Sequence, residues 1–328
     1  MSKRNVSIEL LRCLLMFGIC MCHSVGAGGY IYEPVRNIFM MCTVGFIFIT
    51  GWFGVRFSVK RVATLITTAI FATLVVMIED WGLNRLFTRS FVSIISEWWF
   101  LNAYFFLLIL SPVFNCIANC LCVEDKKIRR DAICACGIFA FIVYCLAWPM
   151  KCGWIPPVRF VTTWGFPAQF GNMCTIYLLA RMVALYKVCD RVNKLVAALC
   201  VLIPMATAFF GIKFTYYNSP FDFMFAFGLF CLFRRKFVNE ESFLAKAVLF
   251  VSPSLFFVYL YHSHPNPGFE ILAKCEGLIV NIGVPIPFAW LLIAIFIFVV
   301  GIAVDSIRRM LFHFYRAVIK HDANDRLI

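Results

Sequence analysis

Apolar residues run along the chain in long blocks separated by short polar segments. A membrane helix needs about 20 mainly apolar residues. Ten blocks meet or approach that length: about 6–25, 36–55, 62–80, 98–119, 132–149, 168–186, 194–212, 221–236, 244–263 and 286–304. The eighth is the weakest. No polar stretch exceeds about 20 residues, so almost the whole chain is expected in or near a bilayer. The pattern predicts an all-α integral membrane protein, a bundle of about ten transmembrane helices over residues 1–305. The remainder, 306–328, reads as a basic amphipathic cytoplasmic tail on the inner leaflet, with Phe312, Phe314, Tyr315 and Val318 on its apolar side.

Charge placement orients these spans. With the N-terminus inside, one side of the membrane holds 21 Lys and Arg, including Lys3, Arg56, Lys60, Arg61, the 126–130 and 234–236 clusters and the tail. The other side holds seven: Arg36, Arg85, Arg89, Lys151, Arg159, Lys213 and Lys274. Arg12 and Arg181 fall within spans. Basic residues favour cytoplasmic loops, so both termini are expected inside. Aromatics at Tyr30, Trp81, Trp98, Trp99, Trp154 and Trp164 then mark the outer interface. Lys3 and Arg4 before an apolar run resemble a signal peptide, but Glu9 and Arg12 interrupt that run and no small-x-small site follows it. It reads as the first span.

Composition narrows the class further. Of 328 residues 62% are apolar, 38 are Phe, and only 14% are charged. The mean hydropathy is +0.87. A water-soluble domain of this size could not hide so much apolar surface. Soluble enzymes, disordered chains and disulfide-stapled modules are therefore excluded. The net charge of +13 is accounted for by the cytoplasmic loops, so no nucleic-acid partner is inferred. Most of the 16 cysteines lie in apolar runs, where Cys acts as a small apolar residue. Cys152 and Cys275 fall in predicted outer loops and could pair. No Cys or His spacing points to a metal.

Ionisable residues within a span are costly, which makes them candidates for function. The first span has three: Glu9, Arg12 and His23. Arg12 and His23 are 11 residues apart, about 16 Å along a helix. Three helical turns leave them on one face. Glu9 sits one turn before Arg12 and can pair with it. A cation near the cytoplasm and an imidazole deep in the membrane would suit an acyl-CoA. The phosphates would stay at the inner face while the pantetheine arm carried the thioester to His23. His23 could then serve as general base for an acceptor hydroxyl or as an acyl-carrying nucleophile. The bland alternative is a helix-bonding His and a snorkelling Arg.

Residues Arg4 to His23 read RNVSIELLRCLLMFGICMCH. This resembles the opening motif of the acyltransferase 3 family of integral membrane acyltransferases: an acid three residues before an Arg, then ten residues, then a His. Three later segments are similar to the family pattern in the same order. Thr43 to Gly51 (TVGFIFITG) resembles its second-span V-P-x-F-F-x-I-S-G. Glu97 to Leu101 (EWWFL) resembles its L-W-F-L. Phe257 to His262 (FVYLYH) resembles its Y-L-I-H. Two departures stand out: Thr50 replaces the usual Ser, and Thr64 replaces the second Arg of an R-x-x-R pair, leaving Lys60 and Arg61 there.

The resemblance implies transfer of an acyl group, commonly acetyl, from cytoplasmic acyl-CoA to a hydroxyl of a cell-envelope polysaccharide or lipid-linked sugar. That is polysaccharide O-acetylation at the bacterial plasma (inner) membrane. It implies His23 as the catalytic residue and Arg12, Lys60 and Arg61 as acyl-CoA contacts. No permanently bound cofactor is expected; acetyl-CoA is a co-substrate, with membrane lipids around the bundle. Glu9, Glu97, Trp99 and His262 are supporting or acceptor-site candidates. Trp98 and Trp99 could stack on a sugar or anchor at the interface. His262 and His264 could line the acceptor site or hydrogen-bond at the surface. Glu79, Asp80, Glu97 and Asp222 lie at similar depth, and any of them could orient His23. A rival reading is a transporter or flippase for a lipid-linked sugar or small anion, in which the same residues bind phosphate or relay a proton.

Overall fold

The computed structural model describes residues 5–25, 32–82, 94–95, 98–141, 165–210, 219–235, 238–263 and 268–325. These residues form helices and no strand. In chain order they are α1 (Val6–Ser24), α2 (Glu33–Met40), α3 (Cys42–Phe53), α4 (Val59–Gly82), α5 (Trp99–Cys120), α6 (Lys126–Phe141) and α7 (Gly165–Leu185). Next come α8 (Val188–Arg191), α9 (Lys194–Phe209), α10 (Pro220–Phe233), α11 (Phe243–Val251), α12 (Leu255–His262), α13 (Gly268–Asn281) and α14 (Ile286–Asp325).

Local sequence explains the starts. The Asn5 side chain caps α1 by accepting from the Ser7 amide at 3.0 Å. Glu9 sits in that first turn, where the helix dipole favours an anion. Asn193, Ser219 and Ser242 cap α9, α10 and α11 in the same way. Pro220 follows its cap at a position where the missing N–H costs nothing.

Six helical stretches are long and apolar enough to cross a membrane: Val6–Ser24, Glu33–Phe53, Val59–Gly82, Trp99–Cys120, Phe243–His262 and Ile286–Phe314. Three apolar helices are shorter: Phe170–Leu185, Lys194–Phe209 and Pro220–Phe233. The expected count of ten is thus not reached among the described residues. The second and ninth spans are each broken. One changes helix at Met41, the other at a 3-10 turn, Ser252–Ser254, where Pro253 removes a backbone donor. The fifth begins with a charged turn at Lys126, and residues 142–150 lie outside the description. Helix α14 runs on through residue 306 to Asp325 without a break.

Two kinds of surface distinguish the bundle. On α4, Ile66, Ile70, Leu74 and Ile78 recur every four residues and face outward. Leu65, Ala69, Ala72, Thr73 and Val76 on the other side are buried. An exposed aliphatic stripe of that length is at home in lipid rather than water. Helix α1 has no such face: 72% of its apolar stretch is buried, against 33% for α4, α5 and α14. It packs against α2, α3, α10, α12 and α14 and so forms the centre. Small residues permit this closeness. A Cβ at Gly51 would lie 2.5 Å from the Tyr177 carbonyl, and one at Gly228 would lie 2.6 Å from that of Ala197. Backbone-to-backbone approach at Gly is how helices associate without a hydrophobic drive.

Candidate active site

The polar stripe predicted on α1 lies in the middle of the bundle. At one end Arg12 Nη1 donates to Glu9 Oε2 at 3.0 Å. Glu9 is mostly buried, while the Arg12 side chain keeps 35% of its surface. The Tyr104 hydroxyl of α5 sits over this end. It hydrogen-bonds Thr50 of α3 and lies within electrostatic reach of both Arg12 and Arg61. Arg61 is exposed, and its Nη1 donates to the Arg56 carbonyl at 3.0 Å. Lys60 is exposed beside it.

At the other end of α1, His23 meets a residue 239 positions away in sequence. The rings of His23 and His262 have centroids 4.9 Å apart and are tilted by 54°. His262 is only 2% exposed, packed inside the bundle. Its Nδ1 faces the Val258 carbonyl, one turn back on α12, at 2.5 Å. A carbonyl can only accept, so this nitrogen carries the proton and a neutral ring keeps its lone pair on Nε2. Ring contacts continue from there: His262 to Tyr259 at 6.3 Å, Tyr259 to Phe100 at 5.2 Å and Phe100 to Trp99 at 5.8 Å. Phe100 also stacks on Tyr104 at 6.2 Å. The face of α5 thus joins the imidazole end to the arginine end.

Arg36 of α2 is a site residue that sequence reasoning counted only as an outer-loop charge. Its guanidinium hydrogen-bonds the Cys22 thiol and lies within electrostatic reach of His23. It also pairs with Glu33 at 3.5 Å. Of the carboxylates considered as partners for His23, Glu79 hydrogen-bonds Tyr261. Asp222 is buried in the first turn of α10 and accepts from the Ser219 backbone. Asp80 is buried at the end of α4. Glu97, His264 and Cys152 lie outside the described residues.

The two tryptophans separate. Trp98 is wholly buried in the hydrophobic core. Interfacial anchoring is therefore corrected for it. Trp99 lines a small crevice with Thr43, Val44, Ile47, Asn172, Met173 and Ile176. Tyr104 and Asn172 are neutral polar residues within apolar runs, and nothing in their local sequence marks them as part of a site.

Residues 5–307 match the family model described as "Acyltransferase domain", of the acyltransferase 3 family. The chain belongs to that family. The match takes in the whole of α1 to α13 and the α14 residues through Ile307, so His23, His262, Arg12, Arg36 and Arg61 all lie within the acyltransferase domain. No curated protein and no solved structure matches the chain. Membership in the acyltransferase 3 family, together with the lipid-suited exterior, makes this a membrane acyltransferase.

Proposed function

We propose that the protein moves an acetyl group from cytoplasmic acetyl-CoA to a hydroxyl of an envelope polysaccharide or lipid-linked sugar. The observation that carries this reading is the pairing on α1. A cation exposed enough to meet a soluble nucleotide shares one helix face with a half-buried imidazole that packs on the buried His262. The separation of about 16 Å matches the reach of a pantetheine arm. Arg12, steadied by Glu9, holds the CoA phosphates with Arg61, and Lys60 adds its charge nearby. With the N-terminus inside, this end faces the cytoplasm of a plasma (inner) membrane, and both termini are cytoplasmic.

His23 takes the proton from the acceptor hydroxyl as its oxygen attacks the thioester carbonyl. The carbon–sulfur bond breaks, CoA leaves as a thiolate, and the proton on His23 passes to it. In the two-step variant His23 is first acylated and the acceptor then attacks the acyl-imidazole. Arg36 is suited to meet the negative charge that develops on the carbonyl oxygen. His262, its proton held by Val258, positions His23. Trp99 and the segment around Glu97 belong to the acceptor side.

The test is transfer of radiolabelled acetyl from acetyl-CoA into envelope glycans by membranes containing the protein, beside membranes containing His23→Ala. Label that depends on His23 supports the reading. Transport of a lipid-linked sugar would instead leave the thioester intact, and intact acetyl-CoA in membranes that move such a sugar would replace this reading with the transporter.

A further inference from the structure

The crevice beside Trp99 holds a polar group with nothing to bond. Asn172 is 1% exposed, and its Oδ1 has no hydrogen-bond partner among the described residues. Burying an amide oxygen without a donor costs free energy, so such groups normally have a partner that is part of the working molecule. The other walls are Val44, Ile47, Met173, Ile176 and the Trp99 ring, with the Thr43 side chain as the second polar residue. The space admits a group of about one water's size. Ring contacts run from it to the imidazole pair, from Trp99 through Phe100 and Tyr259 to His262.

Two facts set the chemistry of an occupant. An oxygen acceptor in an apolar wall calls for a small hydrogen-bond donor, and an aromatic ring beside it suits the apolar face of a sugar. An acyl chain has no donor to give. We propose that the crevice is a hydroxyl-recognition subsite for the acceptor. Asn172 Oδ1 accepts from one hydroxyl of a carbohydrate whose ring lies along Trp99. The inference rests on the acetyl-transfer reading above and assigns a residue to recognition of that acceptor. It makes Asn172 a specificity residue with no part in donor binding.

The test uses the full chain in lipid nanodiscs with radiolabelled acetyl-CoA. The acceptors are β-linked disaccharides of glucose, galactose and N-acetylglucosamine. Asn172→Leu keeps the side chain's size and removes the unpaired oxygen. It is expected to raise the acceptor KM about tenfold, the worth of one lost neutral hydrogen bond. The KM for acetyl-CoA stays unchanged and the thermal midpoint rises, because the buried polar cost is gone. Asn172→Thr, which retains an oxygen, should recover part of the acceptor affinity, and it decides the matter if the leucine variant does not fold. An unchanged acceptor KM in the folded variants would overturn the subsite and assign the crevice to an ordered water. Absence of transfer by the native chain to every disaccharide would overturn the carbohydrate reading itself, and that failure is visible before any variant is made.

Discussion

The two ends of α1 solve opposite problems with the same helix. At the Arg12 end the cations keep contact with water: Arg12 is one-third exposed and Arg61 is exposed, with the neutral Tyr104 and Thr50 between them and the core. At the His23 end the partner imidazole is closed off by Tyr259, Phe100 and the Val258 carbonyl. Charge is strong but screened where solvent enters, and hydrogen bonds gain strength where it does not. A soluble, multiply charged donor suits the first setting, and proton transfer suits the second. On the proposed reading, one buried helix separates binding from chemistry by three turns.

The sharpest way to break this comparison is at the imidazoles. His23→Ala is expected to lower acetyl transfer by about a thousandfold or more, and His262→Ala by about a hundredfold, both in kcat with little change in the acetyl-CoA KM. An acetyl-CoA KM that rises with His262→Ala would mean that the outer end also binds donor, and the division would fail.

Arg12→Ala should act the other way, raising the KM for acetyl-CoA by roughly tenfold to a hundredfold and sparing kcat. The native KM should rise with added salt, and this dependence should weaken in the variant. A kcat loss with unchanged KM would place Arg12 in the chemistry. Arg12→Lys, which keeps charge but loses the planar fork, should fall between.

The scaffold that holds the ends in register is next in size. Gly51→Ala puts a methyl against the Tyr177 backbone, which cannot move aside as a side chain can. It should destabilise the fold by about 1–3 kcal/mol, read as a lower thermal midpoint in detergent. An unchanged midpoint would mean that α3 and α7 can separate at little cost. The smallest effect is expected at Lys60. It is exposed, and charges in water contribute little. Lys60→Ala should change the acetyl-CoA KM by no more than about threefold. A loss as large as that of Arg12→Ala would make it an equal phosphate contact.

Much of the molecule was legible in one dimension. Burying apolar side chains is a local preference, so block length announced α1, α4, α5 and α14, and the 11-residue spacing placed Arg12 and His23 on one face. Cost was equally legible: Glu9 beside Arg12 read as a pair because ions in a span need partners. The break at Ser252–Ser254 was less so, since Pro253 sits within an apolar run whose length alone suggests one straight helix.

Contacts between distant segments were decided only by the tertiary structure. His262 and His23 lie on helices far apart in sequence, and nothing local to either says that α12 will dock on α1. Arg36 counts as a loop charge until α2 folds against Cys22. Asn172 is one neutral polar residue among apolar ones until Thr43 and Trp99 close a crevice around it. Composition and period determined which residues leave water and which share a helix face, because those depend on neighbours along the chain. Which faces meet, and therefore which polar groups are left together in the interior, depended on packing between helices that the chain order does not encode.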